Sequence, residues 1–226
     1  NEEVFAALPE LRVVSKYGVG FDMIDLDAMT RRGVKLGWTG GVNRRSVAEL
    51  VISLSIAMLR RLPEATAEVA VGEWRQIMGR QLSSCTLGII GCGHVGKLLG
   101  RMVGPFGCRV LAHDILDFPA YYAETGIEAV SIDELLKTCD IVTLHLPLDS
   151  STSNILSAER MALMKKGSFL INAARGGLVD EAALKEMLTG GHLAGAAFDV
   201  FVDEPPQDSE LLDLPNFIVT PHIGGS

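Results

Sequence analysis

The segment from Gly88 to Lys97 constrains the fold of this chain more than any other, because it joins an apolar run to a glycine-rich turn. Its spacing, Gly91-x-Gly93-x-x-Gly96, is typical of a strand that turns sharply into a helix. In such turns the first glycine makes the bend, the second lets a pyrophosphate approach bare backbone, and the third lets the helix pack on the strand. Unpaired N–H groups of the helix then receive the phosphates. The turn therefore predicts a dinucleotide site.

The flanking sequence supports that prediction. Thr86 to Ile90 is a short apolar strand candidate, Val95 to Val103 has apolar residues at helical spacing, and Cys108 to Ala112 is a second strand. Asp114 lies about twenty residues beyond the turn, where a carboxylate accepts hydrogen bonds from the adenosine ribose. The two residues that follow, 115 and 116, are apolar, whereas a site for NADP would need a basic residue there to neutralise the 2'-phosphate. The pattern favours NAD over NADP.

The rest of the chain continues the alternation of strands and helices. The predicted strands are Ile141 to Leu146, Ser168 to Asn172, Ala194 to Val200 and Phe217 to Thr220. The predicted helices are Ser131 to Thr138, Ser157 to Met164, Asp180 to Thr189 and, before the glycine turn, Ser46 to about Leu62. Ser131 with Glu134 and Ser46 with Glu49 have capping-box spacing. Apolar strands separated by helices predict an α/β fold with a doubly wound parallel sheet, at residues 45–222.

The first 44 residues differ in character. They offer two strand candidates, Leu11 to Ser15 and Val34 to Leu36, and one helix, Asp25 to Arg32, which is too little to close a domain. We interpret residues 1–44 as part of a second, smaller domain.

Composition excludes several classes of function. The chain has 226 residues, a net charge of -8 and scattered basic residues, so we expect no nucleic-acid partner. Leu50 to Leu59 is the longest apolar run and is too short to span a bilayer, and the N-terminus shows no signal-peptide pattern, so a cytoplasmic protein is expected. Its four cysteines form no C-x-x-C pair, so no metal site and no disulfide are expected.

Polar residues follow three predicted strands at the edge where ligands bind to such sheets. They lie in Asn172 to Gly177, in Asp199 to Pro206 and in Thr220 to Gly225. Arg175 has the planar donor fork that binds a carboxylate and a carbonyl. His222 is suited to donate a proton near neutral pH. Glu204 would orient the His222 imidazole and keep it protonated. Each residue alone is more typical of a surface salt bridge or a turn. The glycine pairs beside Arg175 and His222 favour a ligand site.

These motifs together resemble the D-isomer-specific 2-hydroxyacid dehydrogenases, as does the segment from Leu144 to Leu148. The resemblance implies a Rossmann NAD domain at 45–222, part of a flavodoxin-like substrate (catalytic) domain at 1–44, and the start of a return segment to it at 223–226. It also implies NAD-dependent interconversion of a D-2-hydroxy acid and its 2-keto acid, without a metal. Residues 46–76 would form the arm of a homodimer, unless Val51, Leu54, Ile56 and Leu59 only face the chain's own core.

The resemblance also assigns site residues. Arg175, Glu204 and His222 would be catalytic. Cofactor contacts would come from Val19, Gly91, Gly93, His94, Val95, Gly96, Asp114, Leu146, Pro147, Ser151, Ala173, Ala174, Arg175, Asp199, His222 and Gly224. Asp199 would receive the nicotinamide carboxamide. Substrate contacts would come from Lys16, Val19, Gly20, Arg175 and His222.

Within the family, three segments are most similar to the branch that acts on 3-phosphoglycerate and 3-phosphohydroxypyruvate: Lys16 to Asp22, Met78 to Leu82 and Ala174 to Leu184. Lys16, with Arg75, would meet the substrate phosphate. The sequence departs from the usual pattern of this family at Cys92 and His94 in the glycine turn and at Met23 in the substrate loop. It also has a lysine at position 16, where arginine is frequent. Glyoxylate or hydroxypyruvate reduction, and a NAD-sensing corepressor or scaffold, stay open as alternatives. Because family members extend beyond both ends, we expect an internal fragment that binds NAD and turns over weakly.

Overall fold

The first part of the chain folds around a small sheet of its own. The computed structural model describes residues 2–16, 18–20 and 23–225. Its opening elements are helix α1 (Glu2–Ala7), strand β1 (Val13–Ser15), helix α2 (Leu26–Arg31) and strand β2 (Lys35–Gly37). The two strands pair in parallel, and Phe5, Ala28, Met29 and Val34 form a separate buried cluster beneath them.

A seven-stranded sheet organises the remainder. Its elements are helices α3 (Arg44–Leu59) and α4 (Leu62–Ala70), strand β3 (Thr86–Ile90), helix α5 (His94–Val103), strand β4 (Arg109–His113), helix α6 (Pro119–Thr125), strand β5 (Glu128–Ala129), helix α7 (Ile132–Thr138), strand β6 (Ile141–Leu144), helix α8 (Ala158–Leu163), strand β7 (Ser168–Asn172), helix α9 (Glu181–Thr189), strand β8 (Leu193–Phe198), helix α10 (Ser209–Leu212) and strand β9 (Phe217–Val219). Their spatial order is β5-β4-β3-β6-β7-β8-β9, and every neighbouring pair is parallel.

Helices cover both faces of this sheet, which confirms the predicted doubly wound α/β fold. Alternate residues of β3 point to opposite faces: Leu87 and Ile89 join one buried cluster, and Ile90 joins the other. The chain order reverses at β3, whose neighbours are β4 on one side and β6 on the other. Ligands bind at such a switch point in doubly wound sheets, and the glycine turn follows β3 directly.

The start of α3 differs from the prediction. The helix begins at Arg44 after Asn43, so Ser46 lies inside its first turn rather than at its cap. The helix ends at Leu59, close to the predicted end, and a second helix, α4, begins after Arg61, which lies in the left-handed region (φ 51°). By contrast, the predicted cap at Ser131 is confirmed, since its hydroxyl oxygen accepts from the Glu134 N–H at 3.2 Å.

The apolar residues of α3 that could have formed a dimer surface instead face the chain's own core. Val51, Leu54 and Leu59 are buried there, and Ile56 packs against the same cluster. In α4, by contrast, no residue is buried. Helices α1, α4, α6 and α10 and the two-residue strand β5 were not predicted. Among the described residues, no helix is both long and apolar enough to cross a bilayer.

Candidate active site

The glycine turn leaves open backbone at the end of β3. Gly91 has a φ of 100°, and a Cβ there would lie 2.5 Å from the His145 carbonyl oxygen. A Cβ on Gly96 would lie 2.0 Å from the Gly91 oxygen, so only glycine lets α5 start this close to the strand. A Cβ on Gly93 would meet nothing within 4 Å. Two glycines thus shape the turn, and the third faces open space at the helix N-terminus.

Asp114 ties this turn to the end of β4. Its Oδ2 accepts from the Cys92 N–H at 2.6 Å, and its Oδ1 accepts from the Leu116 N–H at 2.9 Å. Each carboxylate oxygen keeps a second lone pair for a ligand. The apolar side chains that follow, Ile115 and Leu116, are exposed.

The loop after β7 is held by Asn172, a buried residue. Its Nδ2 donates to the Arg175 carbonyl oxygen at 2.8 Å, and its Oδ1 accepts from the Ala174 N–H at 3.2 Å. The Arg175 guanidinium donates to the Ala174 oxygen at 2.6 Å. Because Asn172 bridges both ends of this turn, the backbone that carries Arg175 is fixed.

The next glycine brings two functional loops together. A Cβ on Gly176 would lie 1.8 Å from the carbonyl oxygen of Phe201 and 2.5 Å from the Val202 nitrogen, so the two backbones are in direct contact. The Glu181 carboxylate, at the start of α9, accepts from the Val202 N–H at 2.9 Å. The Arg175 loop therefore sets the position of the loop that carries Glu204.

Glu204 and His222 form the predicted pair. Glu204 Oε2 lies 2.8 Å from His222 Nδ1, and Glu204 Oε1 accepts from the Phe201 N–H at 3.2 Å. The imidazole is half exposed toward the cleft. Since Nδ1 is engaged by the carboxylate, Nε2 is the ring atom available to a ligand.

Asp199 holds the backbone around His222. Its Oδ1 accepts from the Thr220 hydroxyl and from the Ile223 N–H, and its Oδ2 accepts from the Gly224 N–H at 2.7 Å. The carboxylate is almost completely buried. These bonds keep His222 in the left-handed region, with a φ of 55°, which is costly for a non-glycine residue. The structure thus gives Asp199 a structural task in addition to the ligand contact predicted for it.

These loops line two adjoining cavities that form one cleft. The first, of about 450 Å³, lies between the glycine turn and the loops after β6 and β7. The second, of about 600 Å³, lies against Glu204 and His222. Both are bordered by Val19, Gly20 and Arg175, and Lys16 borders the second. The cleft brings together the three predicted catalytic side chains and the predicted substrate loop.

The substrate loop is anchored by a tryptophan. The indole nitrogen of Trp38 donates to the Val19 carbonyl oxygen at 2.8 Å. In the motif from Lys16 to Asp22, residues 17, 21 and 22 lie outside the described residues, as does Ser226 of the predicted return segment.

Two side chains beside the cleft stay neutral at physiological pH. Burial lowers the pKa of His145 to about 3, and its Nε2 lies 3.1 Å from the Thr143 hydroxyl. Burial raises the pKa of the Cys92 thiol to about 11, so this cysteine in the turn is not an activated nucleophile. The four cysteines are all free and buried.

Most of the predicted cofactor residues line the cleft. They are Val19, His94, Val95, Leu146, Pro147, Ala173, Ala174, Arg175, Asp199, His222 and Gly224. Ser151 instead lies in the exposed turn after Pro147, where its hydroxyl donates to Asp149 at 2.6 Å. Arg75 binds the carboxylates of Glu64 and Glu68 on α4 and does not border the cleft. In the described part of the chain, no three His, Cys, Asp or Glu side chains are grouped to hold a metal ion.

Sequence reasoning missed the residues that hold the loops rather than face the ligand. Asn172 and Gly176 were noted only as parts of a motif, and Trp38 was not noted. An asparagine at a strand end, two residues before the N–H that it binds, is a recognisable turn signal. The contact of Gly176 with residue 201 has no local signal, because it depends on how two strand ends meet.

The glycine turn and its surroundings fit a dinucleotide. The backbone at Gly93 is open, the first two residues of α5, His94 and Val95, line the cleft, and Asp114 follows at the neighbouring strand end. No basic residue follows Asp114 in the next two positions. This combination fits NAD, in which the adenosine ribose hydroxyls are free.

Comparisons with known proteins agree with this geometry. Residues 52–224 match the family model described as D-isomer specific 2-hydroxyacid dehydrogenase, NAD binding domain. A D-3-phosphoglycerate dehydrogenase from Mycobacterium bovis is 41% identical over 228 aligned residues, which cover 100% of this chain and 43% of the relative. The chain thus spans less than half the length of that relative.

Solved structures with related sequences have the same fold. A glyoxylate reductase from Paecilomyes thermophila is 33% identical with a TM-score of 0.89, over 99% of this chain and 69% of that one. A D-lactate dehydrogenase from Aquifex aeolicus, complexed with NAD and lactic acid, is 32% identical with a TM-score of 0.88, over 99% of this chain and 73% of that one.

Proposed function

The chain belongs to the D-isomer specific 2-hydroxyacid dehydrogenases, and from this premise we propose that it carries the site for NAD-dependent interconversion of a D-2-hydroxy acid and its 2-keto acid. The proposed substrate pair is 3-phosphoglycerate and 3-phosphohydroxypyruvate. Residues 52–224 match the NAD-binding domain of the family. The activity of the whole protein is part of the proposal.

One observation carries the proposal: the His222–Glu204 pair at 2.8 Å faces Arg175 across a single cleft. A carboxylate that accepts from Nδ1–H fixes the ring and stabilises the imidazolium. Nε2 is then positioned to hold or release the proton at the substrate oxygen. Arg175, whose donors form a planar fork, is suited to bind the carboxylate of a 2-keto acid.

The residues of the chain divide the reaction between them. In the direction of reduction, Arg175 orients the acid, His222 Nε2 donates a proton to the oxygen of the former carbonyl, and Glu204 stabilises the charged ring beforehand. When NAD(H) is bound, it supplies or accepts the hydride. In oxidation the same Nε2 accepts the hydroxyl proton. Asp199 maintains this geometry through its bonds to residues 220, 223 and 224.

Several residues would hold the cofactor. The turn from Gly91 to Gly96 would receive the pyrophosphate with the N–H groups of His94 and Val95, and Asp114 would receive the adenosine ribose. Leu146 and Pro147 would border the adenosine half, while Ala173, Asp199 and Gly224 would border the nicotinamide. A carboxylate at position 114 disfavours a 2'-phosphate by charge repulsion, so NAD is preferred to NADP.

Lys16 supports the phosphorylated substrate. It borders the cavity that also holds Arg175 and His222, and its ammonium group provides a point charge suited to a phosphate. The relatives leave the acid open, because their names include phosphoglycerate, lactate and glyoxylate enzymes. The preference for 3-phosphohydroxypyruvate therefore rests on Lys16 and on the identity to the mycobacterial protein.

The direct test is NADH oxidation with 3-phosphohydroxypyruvate, hydroxypyruvate, glyoxylate and pyruvate. We expect the highest kcat/KM with the phosphorylated acid. His222→Asn should lower kcat by about 10³-fold and change the NADH dissociation constant by less than about threefold. His192→Asn, on the amino side of β8, is the control and should leave kcat unchanged. Undiminished turnover in His222→Asn contradicts the mechanism, and NADH binding without turnover of any acid favours a NAD sensor.

The domain division is also a proposal. We place the boundary near residue 44, because residues 2–43 have their own sheet and buried cluster, while α3 packs on the seven-stranded sheet. Residues 223–226 stay assigned to a return segment.

We further propose that the arm mediates homodimer formation. Its exposed apolar side chains are Leu62, Val69, Val71 and Trp74, and the exposed Met78 follows shortly after the arm. An apolar cavity of about 550 Å³ adjoins the arm between Met58, Pro63, Phe169 and Ile218. Several exposed apolar side chains within one short segment fit a surface that a second copy of the chain covers. Sedimentation velocity should show a dimer that Trp74→Ser with Met78→Ser dissociates; a monomeric parent chain would contradict the proposal.

A further inference from the structure

The linker between β2 and α3 packs on the glycine turn through one side chain. A Cβ on Gly41 would lie 2.7 Å from Cγ and 2.8 Å from Cβ of His94, so the imidazole rests directly on the linker backbone. A Cβ on Gly40 would lie 3.1 Å from Trp38 Cη2 and 3.2 Å from His94 Nε2. The rings of Trp38 and His94 therefore both lie on the side of Gly40 where a Cβ would point.

The same tryptophan reaches the substrate loop. Its indole nitrogen donates to the Val19 oxygen at 2.8 Å. His94 is the first residue of α5 and follows the open glycine, Gly93. A continuous series of contacts thus runs from the helix terminus that faces the pyrophosphate site to the loop that borders the substrate site.

Four of the five residues in the series line the first cavity of the cleft, beside the glycine turn. Val19, Trp38, Gly41 and His94 border the same space of about 450 Å³. A ligand that occupies this cavity touches both ends of the series and restricts the movement of the linker between them. The near atoms of His94, Cβ and Cγ, make the contact, so the imidazole cannot leave the linker by a small rotation of its outer ring atoms.

We propose that the His94 side chain is a positioning group that transmits cofactor binding at the glycine turn, through Gly40, Gly41 and Trp38, to the substrate loop at Val19. This inference rests on the proposed function. It assigns a task to the side chain of a residue whose amide alone was expected to contact the cofactor. Loss of the imidazole should loosen the substrate loop in the cofactor complex and leave the chemistry at His222 intact.

The kinetic signature is a rise in KM without a fall in kcat. In His94→Ala, KM for the 2-keto acid should rise about tenfold, while kcat and the NADH dissociation constant change by less than about twofold. Trp38→Phe removes the donor to Val19 and should give a similar rise. The double variant should be no worse than the more affected single variant, since both substitutions break one series of contacts. Lys97→Ala is the control on the same helix, because Lys97 packs over Phe118, away from the linker.

A spectroscopic measurement separates coupling from a general loss of structure. The chain has two tryptophans, and Trp74 is 86% exposed, so Trp74→Phe leaves Trp38 as the single reporter. Saturating NAD should lower the acrylamide quenching constant of Trp38 about twofold in this background and should not change it after His94→Ala. Gly41→Ala, which pushes the linker away from His94, should behave like His94→Ala.

The outcomes are distinct. Additive effects of His94→Ala and Trp38→Phe on KM, or NAD protection of Trp38 that persists in His94→Ala, would overturn the inference and leave the proposed function intact. A parent chain that does not bind NADH would overturn both.

Discussion

The two walls of the cleft are held in different ways. On the sheet wall, formed by the loops after β3, β4, β7, β8 and β9, carboxylate and amide side chains bind the loop backbone. Asp114 binds the turn at Cys92, Asn172 bridges residues 174 and 175, and Asp199 binds residues 223 and 224. On the other wall, the described residues of the substrate loop, Lys16 and 18–20, are only half-buried, and the Trp38 indole reaches the loop from the linker.

The difference indicates which part of the site is preorganised. Donors and acceptors fixed by buried side chains need no rearrangement when a ligand binds, and such preorganisation is the main source of electrostatic stabilisation in enzymes. A loop with few buried contacts is less stable locally and can adapt to its ligand. The proposed acid/base pair therefore lies on the preorganised sheet wall, whereas we expect the substrate loop to determine substrate selectivity.

The largest expected effect comes from separating two loops of the sheet wall. Gly176→Ala places a methyl group 1.8 Å from the Phe201 oxygen, so the backbone before Glu204 must move. Since a misplacement of about 1 Å in catalytic groups costs on the order of 10²-fold in rate, kcat should fall at least that far. The NADH dissociation constant should change by less than about threefold.

Steady-state kinetics and NADH titration measure this effect. Gly104→Ala is the matched control, because a Cβ there meets nothing within 4 Å and its φ is ordinary. If Gly176→Ala keeps full kcat, the sheet wall tolerates movement and the contrast between the walls is wrong.

The next effect is on stability. Asp199→Asn keeps the shape of the side chain but replaces one carboxylate oxygen with an NH₂ group. In one orientation this group faces the Gly224 N–H, and in the other it faces the Ile223 N–H and the Thr220 hydroxyl. Either way a buried donor loses its charged acceptor. A buried donor left unpaired costs about 1–3 kcal/mol, so the free energy of unfolding should fall by about 2 kcal/mol. Urea denaturation measures this loss.

A milder variant provides the comparison. Thr220→Val removes one neutral donor to Asp199 and should cost about 1 kcal/mol. Equal stability of Asp199→Asn and the parent chain would show that the carboxylate does not hold the His222 loop.

Sequence patterns predicted the sheet wall well because local signals specify it. Strands β3 and β7 were predicted with their observed bounds, since apolar runs end there at a glycine turn and at Asn172. The start of helix α3 was misplaced because the capping-box spacing of Ser46 and Glu49 lies inside the helix rather than at its N-terminus. Strand β5 was missed because two exposed residues, Glu128 and Ala129, carry no periodic signal.

The site was predictable where chemistry marks a residue and unpredictable where packing does. Arg175, Glu204 and His222 stand out by type and position at strand ends. The contacts of His94 with Gly41 and of Gly176 with Phe201 join segments more than 20 residues apart, so no local pattern reports them. Arg75 appeared suited to a phosphate by charge alone, but Glu64 and Glu68 already bind it.

A substitution in the substrate loop should sharpen the contrast between the walls. Lys16→Met removes the ammonium group and keeps the length of the side chain. Loss of one charged contact, worth about 1.5–3 kcal/mol, should raise KM for 3-phosphohydroxypyruvate at least about tenfold. KM for hydroxypyruvate and kcat for both acids should stay within about twofold. Arg75→Gln is the control, and an equal rise of both KM values in Lys16→Met would remove Lys16 from phosphate recognition.

The smallest expected effect tests whether the sheet wall depends on the stability of the whole sheet. Asp140 lies at the amino ends of the strands, where its carboxylate binds Lys165 at 2.8 Å, Arg80 at 3.0 Å and the Thr86 N–H at 2.9 Å. Burial opposes its ionisation, but these three partners outweigh burial and hold the pKa of Asp140 below its ordinary value. Its stabilisation is therefore complete above about pH 5 and is lost as the pH falls through the lowered pKa.

Replacement of Asp140 by asparagine should reduce this loss of stability at low pH. In urea denaturation between about pH 5 and pH 3, the free energy of unfolding of Asp140→Asn should fall less steeply than that of the parent chain. At neutral pH the variant should be less stable, while its NADH dissociation constant stays within about twofold, because Asp114, Asn172 and Asp199 hold the cleft locally. A large loss of NADH affinity would mean that the sheet wall takes its geometry from the opposite edge of the sheet rather than from its own side chains.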